Sequence, residues 1–276
     1  MTFGQHIGTI SKLSARATKL FAMATSNTFR PAGAGGALKD KACLISGASR
    51  GLGAALAREL AAQGARLALV AREEAPLAAL ARELRDGGAE AHALAFDIAD
   101  KSSTYRLAGA AAALIGPVDV LVHNASTLGP TPLRLLLDTE CEDLARVLEV
   151  NLVGPFRLSK VIAGSMALRD SGVIVHVSSD AAVAAYARWG AYSVSKAASD
   201  HLARLWAAEL EGTKVRIFSF DPGEMDTAMH RAALPDADPA TLRTPESVAV
   251  RLRQLIAEAD QIPNGARVGV EGSVAA

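Results

Sequence analysis

Short apolar runs alternate with longer segments of helical periodicity from about residue 40 to the end of the chain. The apolar runs contain few polar positions, which is typical of strands that are buried on both faces. Seven strands are predicted: KACLISG (41–47), RLALVA (66–71), AHALAF (91–96), VDVLVH (118–123), GVIVHVS (172–178), KVRIFSF (214–220) and ARVGV (266–270). Because helical patterns separate them, the sequence predicts right-handed βαβ crossovers and a single α/β domain of the Rossmann type, with a doubly wound parallel seven-stranded sheet and helices on both faces.

Two predicted helices have recognisable start signals. Thr139 is followed three residues later by Glu142, which predicts a capping box ahead of an apolar run. Thr244 precedes Pro245, and proline is favoured at the first position of a helix. Residues 223–243, between the sixth predicted strand and this second helix, mix small, charged and proline residues. A segment at the carboxyl end of a strand is where we expect a lid over a ligand site.

The first 39 residues differ in composition from the rest of the chain. They contain five Lys or Arg residues and no Asp or Glu, and they include the sequence PAGAGGA at 31–37. We interpret 1–39 as a basic amphipathic arm with a flexible Gly/Ala linker, followed by the α/β domain at 40–276. A mitochondrial or plastid transit peptide has a similar composition and is the alternative interpretation.

Charge and cysteine content exclude several classes of function. Lys plus Arg and Asp plus Glu both number 29, so no net field attracts nucleic acid or an anionic membrane, and neither partner is expected. The two cysteines, Cys43 and Cys141, form no CxxC motif, and the six histidines show no paired metal-site spacing, so no metal is expected. A reducing, cytoplasmic location is expected, with an organelle as the alternative if the arm is a transit peptide.

A glycine-rich turn follows the first predicted strand. The segment SGASRGLG at 46–53 places Gly47, Gly51 and Gly53 immediately before a helical pattern. Glycines let the backbone approach a ligand closely, and the first N–H groups of a helix favour a pyrophosphate. The spacing is GxxxGxG and not GxGxxG, so the position between strand and helix is what indicates a dinucleotide site.

A tyrosine and a lysine stand four positions apart in AYSVSK, at 191–196. On a helix, Tyr192 and Lys196 would share one face, where an ammonium favours the phenolate and lowers the pKa of the phenol. The pair taken alone also fits an ordinary exposed helix face, so it does not establish acid–base chemistry by itself.

The motifs SGASRGLG and YSVSK resemble the TGxxxGxG and YxxxK motifs of the short-chain dehydrogenase/reductase family. The resemblance extends over about residues 40–270 and includes, in order, Asp97 and Ile98 at the end of the third predicted strand, HNAS at 123–126, Asn151 in VNLVGPF, Ser179 thirteen residues before Tyr192, and DPGEMDT at 221–227. Two positions depart from the family pattern. Ser46 replaces a threonine and keeps a hydroxyl, whereas Ser126 replaces a glycine and would be strained by a positive φ.

This resemblance implies an enzyme that reduces a small-molecule carbonyl compound to an alcohol, or catalyses the reverse oxidation, by hydride transfer with NADP(H). It implies that Tyr192 donates the proton and that Ser179 holds the substrate oxygen. The implied catalytic residues are Asn151, Ser179, Tyr192 and Lys196, where Lys196 and Asn151 also relay the proton through water. The implied cofactor-binding residues are Gly47, Ser49, Arg50, Gly51, Leu52, Gly53, Arg72, Asp97, Ile98, Asn124, Ala125, Ser126, Tyr192, Lys196, Pro222, Gly223 and Thr227.

The preference for NADP(H) is inferred from the end of the second predicted strand. Relatives that prefer NAD have a carboxylate there, whereas this chain has Ala71 followed by Arg72, with Arg50 in the glycine turn. No carboxylate at this position repels a 2′-phosphate, and two guanidinium groups can bind one. The alternative is that Arg72 is a solvated residue beside Glu73.

Two further expectations concern function and assembly. The alternatives to a carbonyl reductase are a non-catalytic NADP(H)-binding regulatory or scaffold protein, and an epimerase or dehydratase on the same fold. Similar family members pair through two long helices, which here would span about 139–169 and 191–211. A homodimer or homotetramer is therefore expected.

Overall fold

The computed structural model describes residues 36–275, so most of the predicted arm at 1–39 lies outside the described residues. Strands β1 to β8 are Ala42–Ser46, Arg66–Ala71, Ala91–Ala95, Val120–His123, Gly172–Val177, Val215–Asp221, Arg267–Gly269 and Val274–Ala275. Helices α1 to α8, numbered within the described residues, are Gly51–Ala62, Glu74–Asp86, Thr104–Ile115, Cys141–Leu148, Gly154–Leu168, Gly190–Glu209, Ala228–Ala233 and Pro245–Ala257.

The strands form one sheet in the order β3-β2-β1-β4-β5-β6-β7-β8. Strands β1 to β7 are parallel, which confirms the predicted doubly wound Rossmann-type fold, while β8 pairs antiparallel with β7. The sequence did not predict β8, because a strand of two exposed residues has no apolar pattern. The strand order reverses between β1 and β4, and a crevice at this point is where open α/β sheets bind ligands.

Helices cover both faces of the sheet, as predicted. On one face, α3, α5 and α6 contribute apolar side chains to a core that also includes residues of β1, β2, β5 and β6. On the other side, α1 packs against α8 and α2. All five residues of β1 are buried, which explains its continuous apolar sequence. No helix in the described range 36–275 has the length and apolarity that crossing a bilayer requires.

The two predicted helix starts have different outcomes. Thr244 caps α8 as predicted, since its hydroxyl accepts from the Ser247 amide at 3.2 Å and Pro245 is the first helical residue. The capping box at Thr139 is wrong. Helix α4 begins at Cys141 without a side-chain cap, and the Thr139 hydroxyl donates instead to the Leu135 carbonyl at 2.9 Å. A 3₁₀ turn at Leu136–Asp138 precedes α4, and Thr139 closes that turn.

The long helix predicted over about 139–169 is interrupted. Helix α4 continues through a π-helical turn at Glu149–Val153 into α5. Asn151 lies inside this turn and is buried. Such π turns are uncommon and occur frequently at functional sites. The interruption therefore coincides with one of the predicted catalytic residues.

The segment predicted as a lid, 223–243, contains the short helix α7 and a 3₁₀ turn at Pro239–Thr241. Thr227 caps α7, since its hydroxyl accepts from the His230 amide at 3.1 Å. The segment is thus partly helical, and movement of it as a lid stays a prediction.

Two buried histidines face each other between neighbouring strands. His123 in β4 is in register with His176 in β5, and their ring centroids are 4.7 Å apart. His123 Nε2 hydrogen-bonds Ser159 Oγ at 2.7 Å, and His176 Nδ1 hydrogen-bonds Ser199 Oγ at 3.1 Å. Burial lowers the pKa of His176 to about 3, with a further contribution from Lys196, and burial beside His176 also lowers the pKa of His123. Both rings are therefore neutral near pH 7.

We predict that this pair makes the protein sensitive to acid. Because the folded-state pKa of His176 lies below the unfolded-state value of 6.5, the unfolded chain binds more protons between about pH 3 and pH 6.5. The free energy of unfolding should fall as the pH falls through this window, by up to about 1.4 kcal/mol per pH unit for each such histidine. Urea unfolding from pH 4 to pH 7 measures this slope.

The variant His176→Asn removes one titrating group and should flatten the slope. His201→Asn is the matched control, because His201 is exposed on α6. An equal slope in the unaltered protein and in His176→Asn would contradict the prediction.

Candidate functional site

A cavity of about 990 Å³ opens at the carboxyl edge of the sheet, where the strand order reverses. The glycine turn, the ends of β2, β3 and β4, and part of the segment 223–243 line it. The predicted cofactor-binding residues in its walls are Gly47, Ser49, Arg50, Gly51, Leu52, Arg72, Asp97, Ile98, Asn124, Ala125, Ser126, Lys196 and Thr227. The other four predicted positions, Gly53, Tyr192, Pro222 and Gly223, are not in these walls.

Hydrogen bonds between β1 and β4 hold the glycine turn in place. The Ser46 hydroxyl donates to the Val122 carbonyl at 3.2 Å and accepts from the amides of Asn124 and Ala125, both at 3.1 Å. The Asn124 side chain donates to the carbonyls of Ser46 and Gly47, at 3.0 and 2.9 Å. The hydroxyl retained at Ser46 therefore donates one hydrogen bond and accepts two.

The close packing of this turn explains its glycines. Gly47 has a φ of +68°, a conformation that side chains disfavour. A Cβ on Gly53 would lie 2.3 Å from the Gly47 carbonyl oxygen and 2.6 Å from Asn124 Nδ2. Gly53 thus lies beneath the turn and supports it from the α1 side. The exposed turn and the first amides of α1 border the cavity, an arrangement that fits the pyrophosphate of a dinucleotide.

The serine that replaces a family glycine is not strained. Among the described residues, the non-glycine positions with positive φ are Asp40, Asp170 and Arg188, so Ser126 has an ordinary backbone conformation. The possible distortion considered from the sequence is therefore absent at this part of the cavity wall.

Positive charge collects at the end of the cavity formed by α1 and β2. Arg50 and Arg72 are exposed, and within the described residues neither guanidinium forms a hydrogen bond or a close ion pair, although the charge of Arg72 contributes to lowering the pKa of Asp97. Arg58 also lines the cavity, but Glu83 engages its guanidinium through two hydrogen bonds of 2.6 and 2.8 Å. Glu73 brings one carboxylate to the same region. Two guanidinium groups are thus available to bind an anion.

Asp97, at the end of β3, is held by two neighbours. Its Oδ1 accepts from the Ala99 amide at 2.9 Å and its Oδ2 accepts from Arg146 at 2.9 Å. Burial alone would raise the pKa of this carboxyl, but the Ala99 amide and the charge of Arg146 bring the pKa below its usual value. Asp97 is therefore an ionised acceptor fixed in orientation at the cavity wall.

Tyr192 lies in α6, with 8% of its surface exposed, and lines a small crevice beside the main cavity. Trp189 packs edge-on against its ring at 5.8 Å between centroids. Burial raises the pKa of the Tyr192 phenol to about 12, a hydrogen bond with Ser179 opposes the rise, and the charges of Asp180 and Asp221 add to it. The expectation of a lowered phenol pKa is wrong for the protein alone, because the loss of hydration on burial outweighs the hydrogen bond with Ser179.

Lys196 lies one turn further along α6, as the four-residue spacing predicts. Its Nζ is 5.5 Å from the centroid of the Tyr192 ring and donates to the Val177 carbonyl at 2.7 Å. Burial lowers the pKa of Lys196 to about 8, and the charge of Asp200 opposes this effect. The structure therefore brings Ser179, Tyr192 and Lys196 together at the ends of β5 and the start of α6.

Asn151 is near this group but does not contact Lys196. Its Oδ1 accepts from the Thr127 amide at 2.8 Å, while its Nδ2 donates to the Thr127 carbonyl and to Ser195 Oγ, both at 2.9 Å. Asn151 thus joins the loop after β4 to α6 next to Lys196. The proton relay through Asn151 stays a prediction.

Sequence reasoning missed three charged residues at the site. Arg58 and Arg146 line the cavity, and Asp180 accepts a hydrogen bond of 2.9 Å from the Ser179 hydroxyl. Asp180 had a usable signal, since it follows Ser179 directly. Arg146 had none, because its contact with Asp97 joins residues that are 49 positions apart. Within 36–275, no group of three or more His, Cys, Asp or Glu side chains is arranged to hold a metal ion.

Comparisons with known proteins show which family the chain is similar to. The family model described as short chain dehydrogenase matches residues 41–238. A short chain dehydrogenase of Pseudocercospora fijiensis is 37% identical over 199 residues, which are 70% of this chain and 62% of that protein. The cis-4-hydroxycyclohexanecarboxylate dehydrogenase of Sinomonas cyclohexanicum is 34% identical over 253 residues, 88% of this chain and 99% of that protein.

Solved structures show the same similarity. A short chain dehydrogenase from Pseudomonas syringae has a TM-score of 0.81 and 32% identity, covering 88% of this chain and 99% of that one. A 7α-hydroxysteroid dehydrogenase complexed with NADH has a TM-score of 0.78 and 28% identity, over 86% of this chain and 94% of that one. A metagenomic short-chain oxidoreductase in complex with NADP has a TM-score of 0.72 and 30% identity, over 84% and 97%.

We predict that Gly53→Ala disrupts the glycine turn. The added Cβ would push the Gly47 carbonyl and the Asn124 side chain out of place, at a cost in unfolding free energy of about 1–3 kcal/mol. Gly109→Ala is the matched control, because Gly109 is exposed in α3 and a Cβ there meets nothing within 4 Å. That control should stabilise by up to about 1 kcal/mol. Urea unfolding of both variants checks this, and equal effects would contradict the prediction.

Proposed function

The chain belongs to the short-chain dehydrogenase family, and from that premise we propose that it is an oxidoreductase that uses NADPH to reduce a small-molecule carbonyl compound, or NADP⁺ for the reverse oxidation. The observation that carries the proposal is the meeting of Ser179, Tyr192 and Lys196 beside a cavity with a dinucleotide-type glycine turn.

The cavity walls contain groups that suit the pyrophosphate, the adenine and the ribose of a dinucleotide. In the proposal, the glycine turn and the first amides of α1 bind the pyrophosphate, Asp97 accepts from the adenine, and Lys196 donates to the ribose of the nicotinamide. Bound there, the coenzyme would supply the hydride, and its oxidised ring would carry a positive charge. Thr227, at the start of α7, would hold the carboxamide.

The proposed acid is Tyr192, which would donate its phenolic proton to the carbonyl oxygen as that oxygen gains electrons. The phenol has a pKa of about 12 in the protein alone, so it carries its proton at neutral pH. The Ser179 hydroxyl lowers the pKa of the phenol as a hydrogen-bonding neighbour and would hold the same substrate oxygen.

The proposed preference for NADP(H) rests on two exposed guanidinium groups that donate no hydrogen bond within the described residues. Arg50 and Arg72 are exposed at the cavity, and Ala71 leaves the end of β2 without a carboxylate. Guanidinium groups bind phosphate through paired hydrogen bonds, so these two would hold the 2′-phosphate. Glu73 is the group that would favour NAD(H) instead.

The proposal includes a homodimer or homotetramer and a cytoplasmic location. Phe156 and Leu205 are exposed on α5 and α6, at 40% and 47%, and would be covered by a second copy of these helices. The free thiols Cys43 and Cys141 suit a reducing compartment. Light scattering at micromolar concentration tests the assembly.

The activity is tested by NADPH oxidation against a panel of ketones, quinones, oxo-steroids and 3-oxoacyl thioesters. Turnover of at least one class is expected. Silence across the panel, with NADPH bound, would favour the non-catalytic regulatory or scaffold protein.

We predict that Tyr192→Phe binds NADPH normally but loses turnover. The substitution removes one hydroxyl and keeps the ring, so kcat should fall by about 10²- to 10⁴-fold, the usual contribution of a general acid. Lys196→Met should weaken NADPH binding as well as turnover, because Lys196 also binds the ribose in this proposal. Steady-state kinetics and NADPH fluorescence titration measure the two effects separately. Near-normal turnover by Tyr192→Phe would remove Tyr192 from the mechanism.

We predict that Ala71→Asp lowers the affinity for NADPH relative to NADH by about tenfold or more, because the new carboxylate would repel the 2′-phosphate and accept from ribose hydroxyls. Ala71→Asn is the matched control of the same size without the charge. Titrations of both coenzymes decide the result. Equal affinities for NADPH and NADH in the unaltered protein would contradict the proposed preference.

A further inference from the structure

Arg267, from β7, lies against three separate elements behind the predicted catalytic group. Its Nη2 donates to the Ser179 carbonyl at 2.9 Å and to Asp221 Oδ2 at 2.6 Å. Its Nε is 3.2 Å from Asp200 Oδ2. The side chain is only 16% exposed. One guanidinium therefore joins the end of β5, the end of β6 and helix α6.

Asp200 links this guanidinium to the helix that carries Tyr192 and Lys196. It lies one turn beyond Lys196, its side chain is 6% exposed, and its Oδ2 also accepts from the Ser178 hydroxyl at 2.7 Å. Asp200 and Lys196 form no ion pair within the described residues, so their coupling acts through space.

The Ser179 carbonyl oxygen accepts hydrogen bonds from more than one element of the fold. Besides Arg267, it accepts from the Ala182 amide at 3.0 Å, a hydrogen bond that begins the 3₁₀ turn Asp180–Ala182. The same turn holds the Ser179 hydroxyl, which donates to Asp180 Oδ1 at 2.9 Å and accepts from the Ala181 amide at 3.2 Å. Arg267 thus contacts the backbone of Ser179 directly. Through Asp200 it also contacts helix α6, which carries Tyr192.

We propose that Arg267 is a positioning residue that sets the Ser179 hydroxyl against Tyr192 by tying the end of β5 to α6 through Asp200 and to β6 through Asp221. This inference rests on the proposed function for its kinetic consequence, but its structural part stands on the contacts of Arg267 alone. The planar fork of arginine suits the task, because it holds several acceptors at fixed angles, whereas a lysine ammonium does not.

Loss of this guanidinium has two consequences. Asp200 and Asp221 lose the cation that they share, and removing one partner of a buried ion pair leaves uncompensated charge. The Ser179 carbonyl also loses one of its donors and keeps the Ala182 amide at 3.0 Å and the Ser178 hydroxyl at 3.5 Å, so the turn at 180–182 gains freedom. A displacement of about 1 Å at a reacting group costs on the order of 10²-fold in rate, so the effect should appear in kcat.

The experiment compares Arg267→Met, Arg267→Lys and the control Arg216→Met. Arg216 lies on β6 and pairs with Asp260, which is 88% exposed, so the control removes a cation from a neighbouring strand away from the site. For all three variants, kcat and KM are measured with the substrate found in the carbonyl panel, and NADPH affinity is measured separately. The temperature is kept well below the unfolding temperature of each variant. Hydrogen exchange of the amides at 181–184 is measured in parallel and needs no substrate.

We expect Arg267→Met to lower kcat by about 10- to 100-fold with NADPH affinity within about twofold of the unaltered protein. Arg267→Lys should recover part of kcat, since it restores the charge but not the fork. Exchange at 181–184 should accelerate in Arg267→Met but not in Arg216→Met, while β1 at 42–46 stays protected in both.

Two results would overturn the inference: unchanged exchange at 181–184 in Arg267→Met, or unchanged kcat alongside accelerated exchange. If the unaltered protein turns over nothing in the panel, the proposed function fails, and the exchange comparison alone decides whether Arg267 holds the Ser179 turn. A purely structural role would lower the unfolding temperature without the split between kcat and NADPH affinity.

Discussion

The hydrogen bonds between Ser46 on β1 and the segment Asn124–Ala125 after β4 are the constraint on which the site depends. The strand order reverses between these two strands, and the cavity opens at that point. The Ser46 hydroxyl and the Asn124 amide fix the glycine turn across this crevice. With the turn fixed, the first amides of α1 border the cavity and Gly53 can pack beneath it. The cavity therefore follows from the strand order and from a few hydrogen bonds at one edge.

Burial dominates the electrostatics on the other side of the crevice. It raises the pKa of Tyr192 to about 12 and lowers the pKa of Lys196 to about 8, so both shifts favour the uncharged forms. The opposing effects come from close polar neighbours, which are Ser179 for the phenol and Asp200 for the ammonium. The hydrogen bond with Ser179 and the charge of Asp200 thus limit how far burial shifts each pKa. Arg267 is central to them because it contacts both Asp200 and the Ser179 backbone.

Local sequence patterns correctly predicted the structural features that depend on residues close together along the chain. The seven strands and the cap of α8 at Thr244 are of this kind, because burial on two faces and a hydroxyl three residues before an amide are short-range properties. The capping box predicted at Thr139 was wrong, because a competing 3₁₀ turn forms there and the Thr139 hydroxyl donates to the Leu135 carbonyl of that turn. The π turn around Asn151 had no sequence signal either, because its side chain is fixed by Thr127 and Ser195, both distant in sequence.

The sequence by itself determined the fold class, the family and the set of candidate site residues. The reason is that the spacing of strands and of motif residues can be read directly along the chain. Only the tertiary structure decided which of those residues share a wall of the cavity, that the phenol of Tyr192 is shifted upward and not downward, and that Arg267 lies behind Ser179. These properties depend on desolvation and on contacts such as that between Arg267 and Ser179, which are 88 positions apart. The distance between such groups and their exclusion from water exist only once the sheet has assembled.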